Sequence, residues 1–442
     1  MSRIPVTAVF DIGKTNKKFF LFDEQLKEVY NTYKRFEAIP DEDGFESEAI
    51  LPLREWMIQT FKEALQSTEF EIKKLNFSGH GASFVHTDEH GEPVTPLYDY
   101  LKPYPEELLE RFYQENGGKM AFCQKTSSPP LAMLNSGLQI YFVKHAKPDL
   151  FKKVKHCLHL PQYLSLIFTG KMVSDYTSIG CHTGLWDFEK MDYHDWVKRE
   201  GIEPLLPPIL PGDTLLRTKD ELGGVPCGIG VHDSSGALLP YLQQEKEPFA
   251  LLSTGTWAIS INPFNKTPLS ESELTKDCLQ FLSISGQPIK ISRLFIGEEH
   301  KHQVDEMYAH WNLPLGTYKK MKFDPTAYEK VAANNKKRIG FHYLKPEDYG
   351  LERANGTDWG SFFDFEEAYY TFIHELTDIQ VASLKLVLDG APVPRIFVDG
   401  GFNANSIYLE MLRIKLPGIE LIPSDFPNGS ALGAAMLVNK KS

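Results

Sequence analysis

The sequence predicts an α/β protein in which one supersecondary pattern is used twice. Three observations carry that prediction. Val6 to Phe10 and Phe249 to Leu252 are short apolar runs, each closed by a small, polar turn and followed by a second apolar run; this is strand, tight turn, antiparallel strand. Each half then carries a helix of 3.6-residue periodicity followed by a strand that stops at a glycine turn, Ser78-Gly79-His80-Gly81 in one and Asp399-Gly400-Gly401 in the other. The repeat is far too long for a solenoid. Two like domains facing a cleft are therefore expected, with residues 1–240 as the first and 241–442 as the second.

In chain order, Val6 to Phe10 and Phe19 to Phe22 form the opening hairpin, and Val29 to Phe36 a third extended segment. Leu53, Trp56, Met57, Thr60, Phe61 and Ala64 recur at helical spacing, and Ile72 to Phe77 is the next strand. Strand, strand, strand, helix, strand is the opening order of an actin-like (ribonuclease H-like) domain, and the order alone is equally compatible with other α/β folds. From about Asp88 to Gly224 the alternation loosens into Pro-rich loops with helical pieces at Leu138 to His145 and Pro161 to Phe168. This stretch is expected to be an insertion that walls a substrate pocket. The second half places a long amphipathic helix at Phe365 to Leu388, a strand at Ile396 to Val398 and a helix over Ala404 to Leu412. A strand at Leu421-Ile422 and a small-residue helix from Ser430 to Val438 close the chain.

Composition narrows the partners. The chain has 442 residues and a net charge of -12. That length suits two or three domains, and the acidic balance argues against a nucleic-acid partner. Five scattered cysteines with no Cys-x-x-Cys pair favour reduced thiols and a cytoplasmic setting. No signal peptide is visible, and no apolar run approaches the ~20 residues of a membrane span.

Four turns hold the chemistry. Asp233 lies between a Gly-rich run and a small-residue segment, in Val231-His232-Asp233-Ser234-Ser235-Gly236. A carboxylate there can take a proton from a bound hydroxyl, or simply cap a helix. Asp11-Ile12-Gly13-Lys14-Thr15-Asn16 sets a carboxylate at a strand end, with a glycine and a hydroxyl beside it and Lys14, Lys17 and Lys18 nearby. Such a turn suits phosphate oxygens and Mg²⁺, or is an ordinary polar hairpin tip. Ser253-Thr254-Gly255-Thr256 has the same small, hydroxylated character, or taken alone is a plain turn. In Asp399-Gly400-Gly401-Phe402-Asn403-Ala404-Asn405 the paired glycines let a flat group approach bare backbone. Neither a Rossmann Gly-x-Gly-x-x-Gly nor a P-loop occurs at these turns.

Taken in order, these motifs resemble those of the FGGY carbohydrate kinases, within the actin-like ATPase superfamily and closest to the rhamnulokinase and fuculokinase branches, where a His precedes the catalytic Asp. The resemblance implies ATP-dependent phosphorylation of a ketose hydroxyl, with Asp233 as general base and with Asp11 and Asp233 bracketing Mg²⁺. It implies that Thr15, Asn16, Lys18, Gly255 and Thr256 hold phosphates. Gly400, Gly401, Phe402 and Asn405 would line the adenosine site, and Gly79, His80, Gly81, His232 and Asp233 would meet the sugar. L-Rhamnulose or L-fuculose is the first choice of substrate. Xylulose, ribulose or glycerol is the alternative, and an actin-like nucleotide switch without sugar chemistry is the remote one. A homodimer is left open. The chain departs from the family pattern at two places: Leu97-Tyr98-Asp99-Tyr100 lacks the usual Trp and Arg, and Lys14 stands where a small residue is usual.

Overall fold

The computed structural model describes residues 3–334, 338–424, 426 and 428–440. They form two compact units, Met1–Gln244 with Gln280–Pro288 and Pro427–Ser442, and Glu245–Leu279 with Ile289–Phe426.

In the first unit, β1 (Ile4–Ile12) is buried from Val6 onward, as an apolar run in a sheet covered on both faces must be. It pairs antiparallel with β2 (Lys17–Phe22), which pairs antiparallel with the half-exposed β3 (Glu28–Lys34). Helix α1 (Ile50–Leu65) buries Ile50, Leu53, Met57 and Phe61 on one face, which is the periodicity seen in the sequence. It delivers the chain to β4 (Phe70–Gly79), parallel to β1. Helix α2 (Leu160–Thr169) covers the sheet, and the short strands β5 (Pro226–Gly228) and β6 (Val231–His232) add parallel to β4. Helix α3 (Asp233–Gln244) follows β6 without a break.

The second unit repeats the order. Its strands are β7 (Phe249–Thr254), β8 (Ala258–Asn262) and β9 (Pro288–Leu294), each antiparallel to the next. After helices α4 (Ile296–Trp311) and α5 (Phe365–Leu388) come β10 (Arg395–Gly400), parallel to β7, then α6 (Ser406–Lys415) and β11 (Glu420–Pro423). The spatial order is β3-β2-β1-β4 with β5 and β6 on β4 in one unit, and β9-β8-β7-β10-β11 in the other. Each unit is an actin-like α/β domain, as expected.

Helix α3 runs to Gln244, past the expected boundary at 240, and the last helix, α7 (Gly429–Asn439), lies in the first unit rather than the second. Glycine explains the return. A Cβ on Gly433 would sit 1.9 Å from the Gly236 carbonyl oxygen, so α7 and α3 cross backbone to backbone. Asn76 Nδ2 donates to the Ala434 carbonyl at 2.8 Å, Lys74 Nζ to that of Val438 at 2.7 Å, and Asn439 Nδ2 to Thr7 Oγ1 at 2.8 Å. No sequence periodicity signals such a contact.

Candidate active site

Parallel strands that end in register bring their last residues together, and ligands of such sheets bind at the carboxyl ends. Here Asp11 pairs with Ser78, Ile12 and His232 both pair with Gly79, and Asp233 follows His232. Asp11 is buried, and burial followed by the charge of Asp233 pushes its carboxyl up to about 6, while Ser78, Lys18 and Ser430 pull the other way. Ser430 Oγ, from the first turn of α7, donates to Asp11 Oδ1 at 3.1 Å.

Asp233 opens α3 with a third of its side chain exposed. Its Oδ1 accepts from the Ser234 backbone N–H at 2.6 Å and lies 3.2 Å from His232 Nε2. The helix dipole favours its negative charge. His232 is buried, with its ring Nε2 3.4 Å from Cys181 Sγ and its backbone N–H donated to Thr177 Oγ1 at 3.1 Å. Burial pushes its pKa down; Asp233 and Asp175 oppose this.

The lysines of the first turn are divided. Lys17 is buried and donates to the Gly13 and Lys14 carbonyls and to Glu48 Oε2, each at 2.8 Å, so it pins the turn. Lys14 turns to Asp99 Oδ2 at 2.8 Å, with Glu48 Oε1 at 3.6 Å and the Tyr100 ring centroid at 4.7 Å. Lys18 is the one beside Asp11, and it donates to Asn428 Oδ1 at 3.2 Å. Glu48 Oε1 also lies 2.8 Å from His80 Nε2. Burial works against the Glu48 charge, yet His80 and Lys17 hold its carboxyl well below the usual range. A cavity of about 200 Å³ is walled by Lys14, Thr15, Glu48 and Asp99, but Asp11, His80 and Asp233 do not line it.

In the second unit the turn between β7 and β8 is small and bare. A Cβ on Gly255 would find nothing nearer than the Trp257 carbonyl oxygen at 3.8 Å, and one on Gly401 nothing nearer than the Thr254 carbonyl oxygen at 4.0 Å. Gly400 differs: its φ is +85°, and a Cβ would strike the Thr254 carbonyl oxygen at 1.8 Å. The strand pairing of β7 with β10 therefore requires glycine at 400, whereas the fold leaves room at 255 and 401. Thr254 Oγ1 donates to the Asp399 carbonyl and accepts from the Phe402 N–H, tying the two turns together. The result is a patch open to close backbone approach by a ligand.

A profile of the FGGY family of carbohydrate kinases, N-terminal domain, matches residues 6–239. The chain belongs to this family. A rhamnulokinase of Halalkalibacterium halodurans is 26% identical over 266 residues, which is 56% of this chain and 52% of that protein. The chain thus matches about half the length of such curated relatives. Among solved structures, a carbohydrate kinase from Novosphingobium aromaticivorans superposes with a TM-score of 0.79 at 21% identity, covering 98% of this chain and 93% of that one. Plasmodium falciparum glycerol kinase with ADP gives a TM-score of 0.71 at 16% identity, covering 99% and 89%. At these identities the likeness to the solved structures shows the fold alone.

For this FGGY family member the structure gathers Asp11, Lys18, His80, His232 and Asp233 within the first unit, and Gly255, Gly400, Gly401, Phe402 and Asn405 within the second. Several have plain structural duties. Gly79 faces Pro161, and a Cβ on Gly81 would meet His232 Nε2 at 2.8 Å. Asn16 Oδ1 accepts from Arg35 Nε at 2.8 Å, while Thr15 stands exposed at the turn. Gly297, at the start of α4, donates its N–H to the Thr256 carbonyl at 3.0 Å. Phe402 is buried among His300 and Tyr408, and Asn405 caps α6 by accepting from the Tyr408 N–H. The Asn405 amide also donates to Tyr369 Oη at 2.8 Å, so part of its hydrogen-bonding capacity is committed. For these turns the sequence did not single out Glu48 or Ser430 in the first unit, nor Gly297 or Tyr369 in the second.

Proposed function

We propose that this chain is an ATP-dependent sugar kinase that phosphorylates a hydroxyl of a ketose. The observation that carries the reading is the carboxylate pair: half-exposed Asp233 beside buried Asp11, whose proton affinity Asp233 helps to raise. A sugar hydroxyl is a poor nucleophile, and a carboxylate within reach takes its proton as the bond to phosphorus forms. Asp233, at the first residue of α3 and with a third of its side chain exposed, suits that task.

The carboxylate pair also fits Mg²⁺. No group of three or more His, Cys, Asp or Glu side chains among the described residues forms an all-protein metal cage. Mg²⁺ typically takes one or two carboxylates and completes its shell with phosphates and water, which is what Asp11 and Asp233 offer. When bound, the ion would neutralise charge on the transferring phosphoryl group. Thr15 and Lys18 in the first unit, and Gly255, Thr256 and Gly401 in the second, are the proposed phosphate and adenosine contacts. The bare glycines at 255 and 401 support the nucleotide assignment.

The rhamnulokinase relative and the His232-Asp233 pair favour a deoxyketohexose such as L-rhamnulose or L-fuculose. The departures from the family pattern at Lys14 and Leu97-Tyr98-Asp99-Tyr100 favour a second reading, a different sugar or polyol. A cytoplasmic setting is part of the proposal; none of the described helices is long and apolar enough to cross a membrane. The test is ATP consumption by the purified chain with Mg²⁺ and L-rhamnulose, L-fuculose, the xyluloses, the ribuloses or glycerol. Sugar-dependent ADP release with one of them supports the proposal. A rate that none raises above the sugar-free rate rejects it.

A further inference from the structure

We propose that β3 is a self-pairing edge, through which two copies of this chain join their first-unit sheets about a twofold axis at Thr32. The inference does not depend on the kinase reading above.

β3 closes one end of its sheet: it pairs with β2 on one side, and no strand among the described residues pairs with the other. An edge strand carries a row of free N–H and C=O groups, which proteins usually blunt with bulges, charges or a covering element. β3 is blunted only at its start. Leu21 pairs with Tyr30 but Phe22 with Glu28, so a bulge falls at Val29, and the Glu28 carboxylate is taken by the Asn31 and Asn428 amides. From Tyr30 to Lys34 the register with β2 is unbroken. Tyr30 is 45% exposed and Tyr33 71%. Helix α1 leaves this end uncovered, with a cavity of about 680 Å³ between Tyr30 and Thr32 on β3 and Trp56, Thr60 and Ala64 on α1. The Lys34 ammonium stands 5.8 Å from the Phe36 ring centroid and has no carboxylate partner among the described residues.

The occupant follows from the sequence of that flat stretch, Tyr30-Asn31-Thr32-Tyr33-Lys34, which is complementary to itself. Laid antiparallel on a second copy about its central residue, it sets Thr32 against the partner's Thr32. Asn31 then faces the partner's Tyr33, and Tyr30 the partner's Lys34. Opposed residues share a face of the sheet, so an unpaired ammonium meets an exposed phenol ring. Amide meets phenol, hydroxyl meets hydroxyl, and no like charges are opposed. Other registers do worse. A shift that puts Asn31 on the axis draws the Val29 bulge into the ladder, and one that puts Tyr33 there leaves only three paired residues. An odd shift sets opposite faces against each other. A twofold contact of this kind is isologous and closes at two copies. Pairing of β3 with the short strand Leu215–Arg217 at the opposite edge of the sheet would instead propagate without end.

The experiment uses the full chain, with each variant checked for folding by thermal unfolding. A pairing of this size predicts a reversible dimer with a Kd on the order of 1–100 µM, read by sedimentation velocity across that range. Thr32→Lys sets two ammoniums on the axis and should weaken the dimer at least about tenfold. Lys34→Glu, at an exposed position, removes the cation from the Tyr30 ring and should weaken it about 2- to 10-fold. Thr32→Cys supplies the register. Directly opposed residues of an antiparallel pair have Cα atoms about 4.5–5.5 Å apart, within reach of a disulfide. Oxidised glutathione should therefore convert Thr32→Cys to a covalent dimer that dithiothreitol reverses. The five native cysteines are buried, so wild type should give no such species. If Thr32→Lys fails to fold, Lys34→Glu and the Thr32→Cys cross-link decide. A wild type that stays monomeric at the top of the concentration range overturns the inference. So does an open polymer, and so does a dimer that the charge changes leave intact and Thr32→Cys does not lock.

Discussion

The turn after β1 and the turn after β7 occupy the same place in the same sheet order, yet they are built from opposite materials. At Asp11–Asn16 the loop is charged and tied down: Lys17 holds two turn carbonyls and Glu48, and the Gly13 N–H donates to the Asn16 carbonyl. At Ser253–Thr256 there is no charged side chain, and a Cβ on the glycine would meet nothing closer than the Trp257 carbonyl oxygen at 3.8 Å. Topology decides where a site forms. Side chains decide whether such a turn presents charge or bare backbone.

The largest test of this contrast is Asp233→Asn. Asn keeps the size and cannot accept the proton, so turnover should fall by about 10²- to 10⁴-fold or more. Sugar affinity measured by calorimetry should fall far less. Near-normal turnover in folded protein would make Asp233 a helix cap and nothing more.

The glycine side of the comparison divides into two outcomes. Gly400→Ala forces a Cβ into the Thr254 carbonyl at positive φ and should cost on the order of 3 kcal/mol in denaturant unfolding, from overpacking and strain together. Gly401→Leu has room in the protein itself, so it should fold normally while weakening ATP binding at least about tenfold, the cost of a steric clash of more than ~1.4 kcal/mol. Unchanged ATP affinity in that variant would remove the adenosine assignment.

On the charged side, Asp11→Asn should stabilise the protein at neutral pH while abolishing its use of Mg²⁺. The carboxyl titrates at 3.8 in a free chain and about 6 here. Between those values the folded state holds a proton that the unfolded state has lost, so stability falls as pH rises through the window. Above about pH 6 the full penalty, on the order of 3 kcal/mol, burdens the wild type and not the variant. Below pH 3.8 it vanishes. Unfolding midpoints that run parallel across this window would show that Asp11 is not strained by burial.

Tyr369→Phe has the smallest expected effect. It removes the hydroxyl that accepts from Asn405 and lies 3.1 Å from His300 Nε2. A loss of about 1 kcal/mol in unfolding free energy is expected. An accompanying rise in the KM for ATP would show that Asn405 is held for the ligand; without it, Asn405 serves as the cap of α6.

Much of this was legible without coordinates, because local patterns carry it. The apolar runs of β1, β2, β7 and β10 and the spacing of Leu53, Met57 and Phe61 are period-2 and period-3.6 signals, and the ordered motifs pointed to Asp11 and Asp233. The sequence by itself therefore determined the α/β class, the repeated strand order and the family. Tertiary structure alone decided that α7 returns to the first unit, that Ser430 reaches Asp11 across 419 residues, that Lys14 pairs with Asp99 instead of joining Lys18, and that Gly400 serves the fold while Gly401 stands free. Those outcomes depend on pairings between distant segments at distances of a few ångströms, and neither spacing nor propensity along the chain encodes which side chain meets which.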